Sequence, residues 1–428
     1  FLLTTMTLFV RPADFVPSLE NLPIYNVLIL AALLASMVPV VKLFNRKSLQ
    51  DRPYILGVIA LLPAIMLSHL SHRDLWDARL DTIEFSKVVV YFLLLIAVVD
   101  SPRRLRYLLV FLTLCIAIIT ILSLLQHHGF INMEGLAGCS QWIRNEGDSG
   151  QIDYVIRLQG PGIFHDPNDL SLILVMGIVL CTHFLLENRN WASRLTGLLA
   201  IGTFFYALML TQSRGGFLSL LAGLYTLIFY RWGWRKSLFL GAILVPALVF
   251  VMRGRETQID LTDPGDTAQS RILIWRDSLV IFHGAPIFGI GYNKLGDEIG
   301  HVAHNSYVQA YAELGLIGGT IFVGLFYVLI AGVQQIAVSP SSDAKGLLSL
   351  RPYILAILWA TAVGLFSLTR CYSLPTYVVF GIAAVFCVLA GEKTGVSFAL
   401  RGYRLYRNIA LASIGCLILV HAFVKILA

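Results

Sequence analysis

Twelve runs of mostly apolar residues, each close to the length that crosses a bilayer, dominate this 428-residue chain. A spanning helix needs about 20 such residues, and the runs fall near 24–44, 54–70, 84–100, 104–126, 167–186, 193–212, 215–230, 237–252, 314–336, 352–369, 373–390 and 408–427. Hydrocarbon offers no water to satisfy backbone N–H and C=O groups, so runs of this length fold as helices. With 57% hydrophobic and 13% charged residues, the chain is too apolar for an ordinary soluble domain. The opening FLLTTMTLFV is apolar but too short to cross, and reads as the tail of a further span, with a cleaved signal peptide as the rival. The expectation is an all-α polytopic membrane protein of about 12–13 transmembrane helices, with residues 1–428 forming one integral membrane domain.

Alternate short loops collect the cations: Lys42, Arg46, Lys47 and Arg52; Arg103, Arg104 and Arg106; Arg189 and Arg194; Arg231, Arg235 and Lys236; Lys345 and Arg351; then Lys393, Arg401, Arg404 and Arg407. Such loops face the cytoplasm. The first outer loop, 127–166, and the larger one, 253–313, then face the periplasm or exterior, and the second contains short helices. The net charge of +7 is an orientation signal and gives no reason to invoke nucleic acid.

Six cysteines are scattered without any Cys-x-x-Cys pair, and a Cys139–Cys371 disulfide near the outer face stays open. A phosphate-binding Gly-x-x-x-x-Gly-Lys loop is absent, so no nucleotide cofactor is expected. Glu146-Gly-Asp148 is the one carboxylate pair with metal-ligand spacing, and its turn-rich surroundings favour a solvated loop. His301 and His304 with Asp297 or Glu298 make a weak zinc set. No metal is expected.

The stretch His301–Gly319, HVAHNSYVQAYAELGLIGG, sets a titratable group at the mouth of a span. A helix from about 301 is expected to carry His301, His304, Val308 and Tyr311 on one side and Glu313 opposite, with Gly315, Gly318 and Gly319 admitting a neighbouring span. Upstream, Ser270-Arg271-x-x-x-Trp275 lies on an amphipathic helix starting at Asp266 or Thr267, followed by Gly289-Ile290-Gly291-Tyr292. An earlier span ends in Thr211-Gln212-Ser213-Arg214-Gly215-Gly216. The first loop ends in Gly160-Pro-Gly-Ile-Phe-His-Asp-Pro-Asn-Asp169, where Asp166 serves as a helix cap and Pro167 as first helical residue.

Together these motifs resemble the O-antigen ligase and polymerase superfamily, most closely over 155–320, with His304, Asn305, Glu313, Gly315 and Gly318 matching its histidine motif. The Asp-Pro-Asn element is similar to that of exopolysaccharide polymerases. The resemblance implies a GT-C-like fold in a bacterial inner membrane and a site facing the periplasm. It further implies an inverting glycosyltransferase that moves glycan from an undecaprenyl-diphosphate-linked donor, its tail held between spans, to a hydroxyl of lipid A core, a growing polysaccharide or a protein.

Such a donor is already activated, since the diphosphate is a good leaving group. Arginine's planar fork suits paired phosphate oxygens, which makes Arg214 and Arg271 the diphosphate candidates; two adjacent glycines are expected to let a headgroup approach Arg214. Neutral imidazole suits removal of the acceptor's proton, which makes His304 the catalytic base. Arg157, His165, Asn305 and Tyr292 are secondary candidates for substrate contact. A polytopic polysaccharide transporter or flippase is the alternative; it would carry ionisable groups at mid-span, whereas span interiors here are nearly free of them, Lys87 near a span end being the nearest exception.

Overall fold

The computed structural model describes residues 1–12, 19, 22–133, 139–144, 152–187, 190–251, 267–336, 345–394 and 402–427. Its helices, in chain order, are α1 (Leu2–Phe9), α2 (Ile24–Ala35), α3 (Met37–Leu43), α4 (Arg46–Asp51), α5 (Pro53–Leu70), α6 (Leu75–Val98), α7 (Pro102–His127), α8 (Pro167–Glu187), α9 (Trp191–Thr211), α10 (Arg214–Trp232), α11 (Trp234–Val251), α12 (Thr267–Gly284), α13 (Leu295–Ile299), α14 (Ser306–Gln335), α15 (Lys345–Leu348), α16 (Arg351–Gly364), α17 (Leu374–Thr394) and α18 (Tyr403–Leu427). The first long loop contains an antiparallel pair of strands, β1 (Cys139–Arg144) and β2 (Ile152–Arg157), in register Cys139 to Arg157. The fold is that of an all-α polytopic membrane protein.

Among the described residues, eight helical spans are long and apolar enough to cross a membrane, or nine if α2 and α3, bent by 74°, form one broken span. The sequence reading of about 12–13 also counts α1, α6, α10 and α11. α1 has 8 residues. α6 has 24, but Asp77, Arg79, Asp81 and Glu84 occupy its first half and Lys87 follows at its middle. α10 and α11 have 19 and 18, and α10 has Arg214 and Arg231 near its two ends.

Helix starts follow local chemistry. Ser101 Oγ accepts from Arg104 N at 3.3 Å with Pro102 first in α7. Asp166 Oδ1 accepts from Asn168 N at 2.7 Å with Pro167 first in α8. In each case a side chain satisfies an orphan N–H where proline has none to lose.

α14 is the hub, packed by α5, α12, α16, α17 and α18. α8 joins α9, α10 and α16 on the other side. Apolar residues also cover outer faces, such as Leu411, Ile414, Ile418 and Phe423 on α18, an arrangement stable only against lipid. α14 is broken at Gly315 (φ 65°, ψ −162°), where a Cβ would collide with the carbonyl of Ile287. The segment after α12 fills this break: Leu316 N donates to Pro286 O at 2.8 Å, and Gly291 N to Glu313 O at 3.0 Å. Gly315 thus packs on Ile287 and Phe288, and Gly289 of the following Gly289-x-Gly291 motif packs on Glu313 and Leu314 just before the break. Gly318 and Gly319 face Leu314 and Tyr311 of their own helix across the break, not a neighbouring span as the sequence suggested.

A candidate active site at one end of the bundle

The starts of α8, α10 and α14 and the ends of α9 and α16 meet at the same end of the bundle. Ser213 caps α10 by accepting from Gly216 N at 3.0 Å. The same hydroxyl donates to Asn168 Oδ1 at 2.7 Å, and Asn168 Nδ2 donates to Asp166 Oδ1 at 2.8 Å. The Asp-Pro-Asn and Ser-Arg-Gly-Gly motifs are therefore one buried hydrogen-bonded unit. A Cβ at Gly215 would overlap Ser367, and one at Gly216 would overlap Ser171. Protein fills the space that the sequence reading had reserved for a headgroup. The glycines draw α10 against α8 and the loop after α16, leaving Arg214 at the first position of its helix.

His304 lies outside α14. The expected helix from 301 begins only at Ser306, because Asn305 caps it by accepting from Tyr307 N at 3.0 Å and Val308 N at 3.2 Å. His304 itself is left-handed (φ 49°), a conformation that costs a residue with a Cβ free energy and is found mostly where neighbours enforce it. One neighbour is Trp275, whose indole N–H donates to Ala303 O at 2.7 Å. That bond ties α12 to the residue before His304, one turn along from Arg271. Glu313 does not touch His304: its Oε1 accepts from Leu295 N at 3.2 Å and from Gln309.

The α16 span, expected to run to 369, stops at Gly364. The following loop wraps the start of α14: Ser306 N donates to Leu365 O at 2.8 Å, Ser306 Oγ to Leu368 O at 2.5 Å, and Arg370 N to Ser306 Oγ at 2.8 Å. This delivers Arg370, whose guanidinium grips both carboxylate oxygens of Asp169, Nε to Oδ1 at 2.6 Å. Fork geometry of this kind makes the strongest of ionic hydrogen bonds.

The electrostatics join these groups. Burial, with Arg271, Arg370 and His301 nearby, pulls His304 below the usual histidine range, and Asp166 opposes the shift. The imidazole is neutral at pH 7. Burial and Arg214 lower Arg271, again against Asp166. Arg271 is thus coupled to both His304 and Arg214, Asp166 to both His304 and Arg271, and Arg370 to His304. The first three lie in motifs of the sequence, where Asp166 is legible only as a cap, which it also is, and the Arg370–Asp169 pair is not marked.

The secondary candidates divide. Arg157 braces the α9–α10 turn, Nε donating to Thr211 O at 2.8 Å and Nη2 to Asn168 Oδ1 at 3.3 Å. Asn305 is the helix cap. Its amide nitrogen is buried without a hydrogen-bond partner. His165 is exposed, its Nδ1 3.3 Å from Gly160 O. Tyr292 belongs elsewhere, packed at a tilt against Tyr372 with centroids 4.3 Å apart and its hydroxyl pushed up by burial.

Glu146, Asp148 and Asp266 lie outside the described residues, as does the side chain of Thr267. Cys371 is buried and free, and the side chain of Cys139 lies outside the described residues. Among the described residues no three His, Cys, Asp or Glu side chains are grouped to hold a metal ion. A cleft of about 40 Å³ reaches the Asp169–Arg370 pair between Phe9, Leu172 and Val379. It has room for on the order of one water molecule.

No curated protein matches the chain. Residues 198–323, which include Arg214, Arg271 and His304 but not the Asp-Pro-Asn element or Arg370, match the family model described as O-Antigen ligase, and this match supports the resemblance to the O-antigen ligase and polymerase superfamily.

Proposed function

We propose that the protein is an inverting GT-C-like glycosyltransferase that moves glycan from an undecaprenyl-diphosphate-linked donor to a hydroxyl of lipid A core or of a growing polysaccharide, on the periplasmic face of a bacterial inner membrane. The observation that supports it best is the half-buried His304, its pKa lowered by burial and by Arg271, which is in turn coupled to Arg214. The outer-facing orientation rests on the cation-rich loops at the opposite end of the helices.

In this reading the acceptor oxygen attacks the anomeric carbon as His304 takes its proton. The bond from that carbon to the diphosphate oxygen breaks, and the electron pair leaves with undecaprenyl diphosphate. A single displacement inverts the anomeric centre. Arg214 and Arg271 neutralise the departing diphosphate, a task that other enzymes give to a divalent cation. Asp166 offsets the imidazolium that forms. Arg157 and Asn305 hold the backbone around these groups, while His165, on the rim, contacts the acceptor.

The test is transfer by purified enzyme with lipid-diphosphate donor and acceptor. His304→Ala should lose about 10²–10⁴-fold in rate with an unchanged melting temperature. Full activity in that variant removes the base assignment, and inhibition by EDTA reversed by a divalent cation removes the arginine-only mechanism. Deleting the gene and examining lipopolysaccharide and secreted polysaccharide separates the two acceptors.

A further inference from the structure

A cavity of about 1000 Å³ lies at the opposite end of the bundle from His304 and has no part in the chemistry proposed above. Its walls are one face of α7, from Arg106 through Leu109 and Thr113 to Ala117, and one face of α9, from Ser193 to Ala200. These positions recur every three or four residues, so each wall is a single helical stripe. His183 and Glu187 of α8 close the back, where Glu187 is paired with Arg231.

Two observations say what fills it. Arg106 is exposed at the mouth, packed against Gly346, and no ion pair joins it to any described residue, whereas its neighbours Arg103 and Arg104 are engaged by Tyr107 and Asp100. Exposed Trp191, Tyr107, Trp232 and Trp234 surround the same end of the helices. Tryptophan and tyrosine collect at the level of lipid headgroups, so the mouth opens there and the apolar walls run into the acyl region. At ~30 Å³ per water-sized group the cavity takes roughly thirty methylene-sized groups, on the order of two acyl chains.

We propose that this groove is a binding site for one anionic glycerophospholipid, its acyl chains between α7 and α9 and its phosphate on Arg106. A cation near a lipid phosphate favours an anionic lipid by roughly five-fold, a preference that an unlined lipid-facing surface would not show.

The test is native mass spectrometry of the detergent-solubilised full chain after equilibration with equal phosphatidylglycerol and phosphatidylcholine. The wild type should retain one phosphatidylglycerol in several-fold excess. Arg106→Gln should bring the two lipids to near parity, and Ala200→Phe, which narrows the groove, should lose the bound lipid. Melting temperatures near that of the wild type identify variants that have folded; should Ala200→Phe fail to fold, Ala117→Phe narrows the same groove from the other wall. Equal retention by the wild type, an unchanged excess in Arg106→Gln, or displacement of phosphatidylglycerol by an equal amount of undecaprenyl phosphate overturns the proposal.

Discussion

The two ends of the bundle treat charge in opposite ways. At the His304 end, Asp169 has a side chain 5% exposed, and Arg271 and Glu313 are also withdrawn from solvent. At the other end the Arg104–Asp100 pair is more than half exposed on both sides and Arg231–Glu187, the least exposed pair described there, is still 26% and 30% exposed. Burying an ion costs several kcal/mol unless partners compensate, whereas a cation at the membrane surface costs little and orients the chain. The difference teaches where to look for chemistry: the end that tolerates expensive charge has a use for it, and the end with cheap charge is the one that the cation bias of the loops assigns to the cytoplasm in the proposed orientation.

Substitution of the two arginines proposed to hold the diphosphate should break the comparison hardest. Arg271→Lys and Arg214→Lys keep the charge but lose the planar fork, and each should lower the transfer rate by about 10²-fold. Activity of purified variants against lipid-diphosphate concentration checks this. An unchanged rate would make the buried charge at this end structural, and the contrast between the ends would lose its functional meaning.

Stability comes next. Arg370→Gln leaves Asp169 buried without its partner and should cost about 3 kcal/mol, the lower end of the range for a broken buried pair because Arg370 is itself 37% exposed. Asp169→Asn combined with Arg370→Gln restores a neutral hydrogen-bonding pair and should recover most of that loss. Denaturation in detergent measures both, and additive losses would mean that the pair contributes no coupling.

How much of this was legible in sequence depended on whether a signal was local. Arg214, Arg271 and His304 sit in short motifs, and the helix cap at Asp166 follows from neighbouring residues. The join between Asn168 and Ser213 spans 45 positions and left no periodicity to read. Leu365-Phe366-Ser367-Leu368 looks like the continuation of a span, and only the carbonyl contacts to Ser306 show why the chain turns there. Arg370 did leave a trace, as a lone arginine in a short loop on the side that the cation bias makes outer. The same bias that sets the orientation makes such a residue an exception. The break at Gly315 was likewise hidden, because its partner segment is packed against it only in three dimensions.

A finer test of the His304 end uses pH. The imidazole must be neutral to accept a proton, so activity should fall as pH drops through its pKa, which lies below the usual histidine value. Asp166→Asn keeps the acceptor for Asn168 N but removes the negative charge that favours the imidazolium. The pKa should fall further, and the acidic limb of the rate profile should move to lower pH by less than about one unit. An upward shift would mean that Asp166 does not face His304 during turnover.

The smallest effect belongs to the other end. Arg104 donates to Asp100 Oδ2 and to Val98 O, both at about the length of ordinary hydrogen bonds, 3.0 and 2.9 Å, and both in exposed surroundings. Exposed pairs of this kind contribute about 0–1 kcal/mol and weaken with salt. Arg104→Gln should therefore change the denaturation midpoint little, with any difference vanishing at high ionic strength, and should leave glycan transfer intact. A loss as large as that of Arg370→Gln, or a fall in transfer rate, would show that charge at this end is as constrained as charge around His304. The asymmetry between the ends would then reflect exposure alone and not the location of the chemistry.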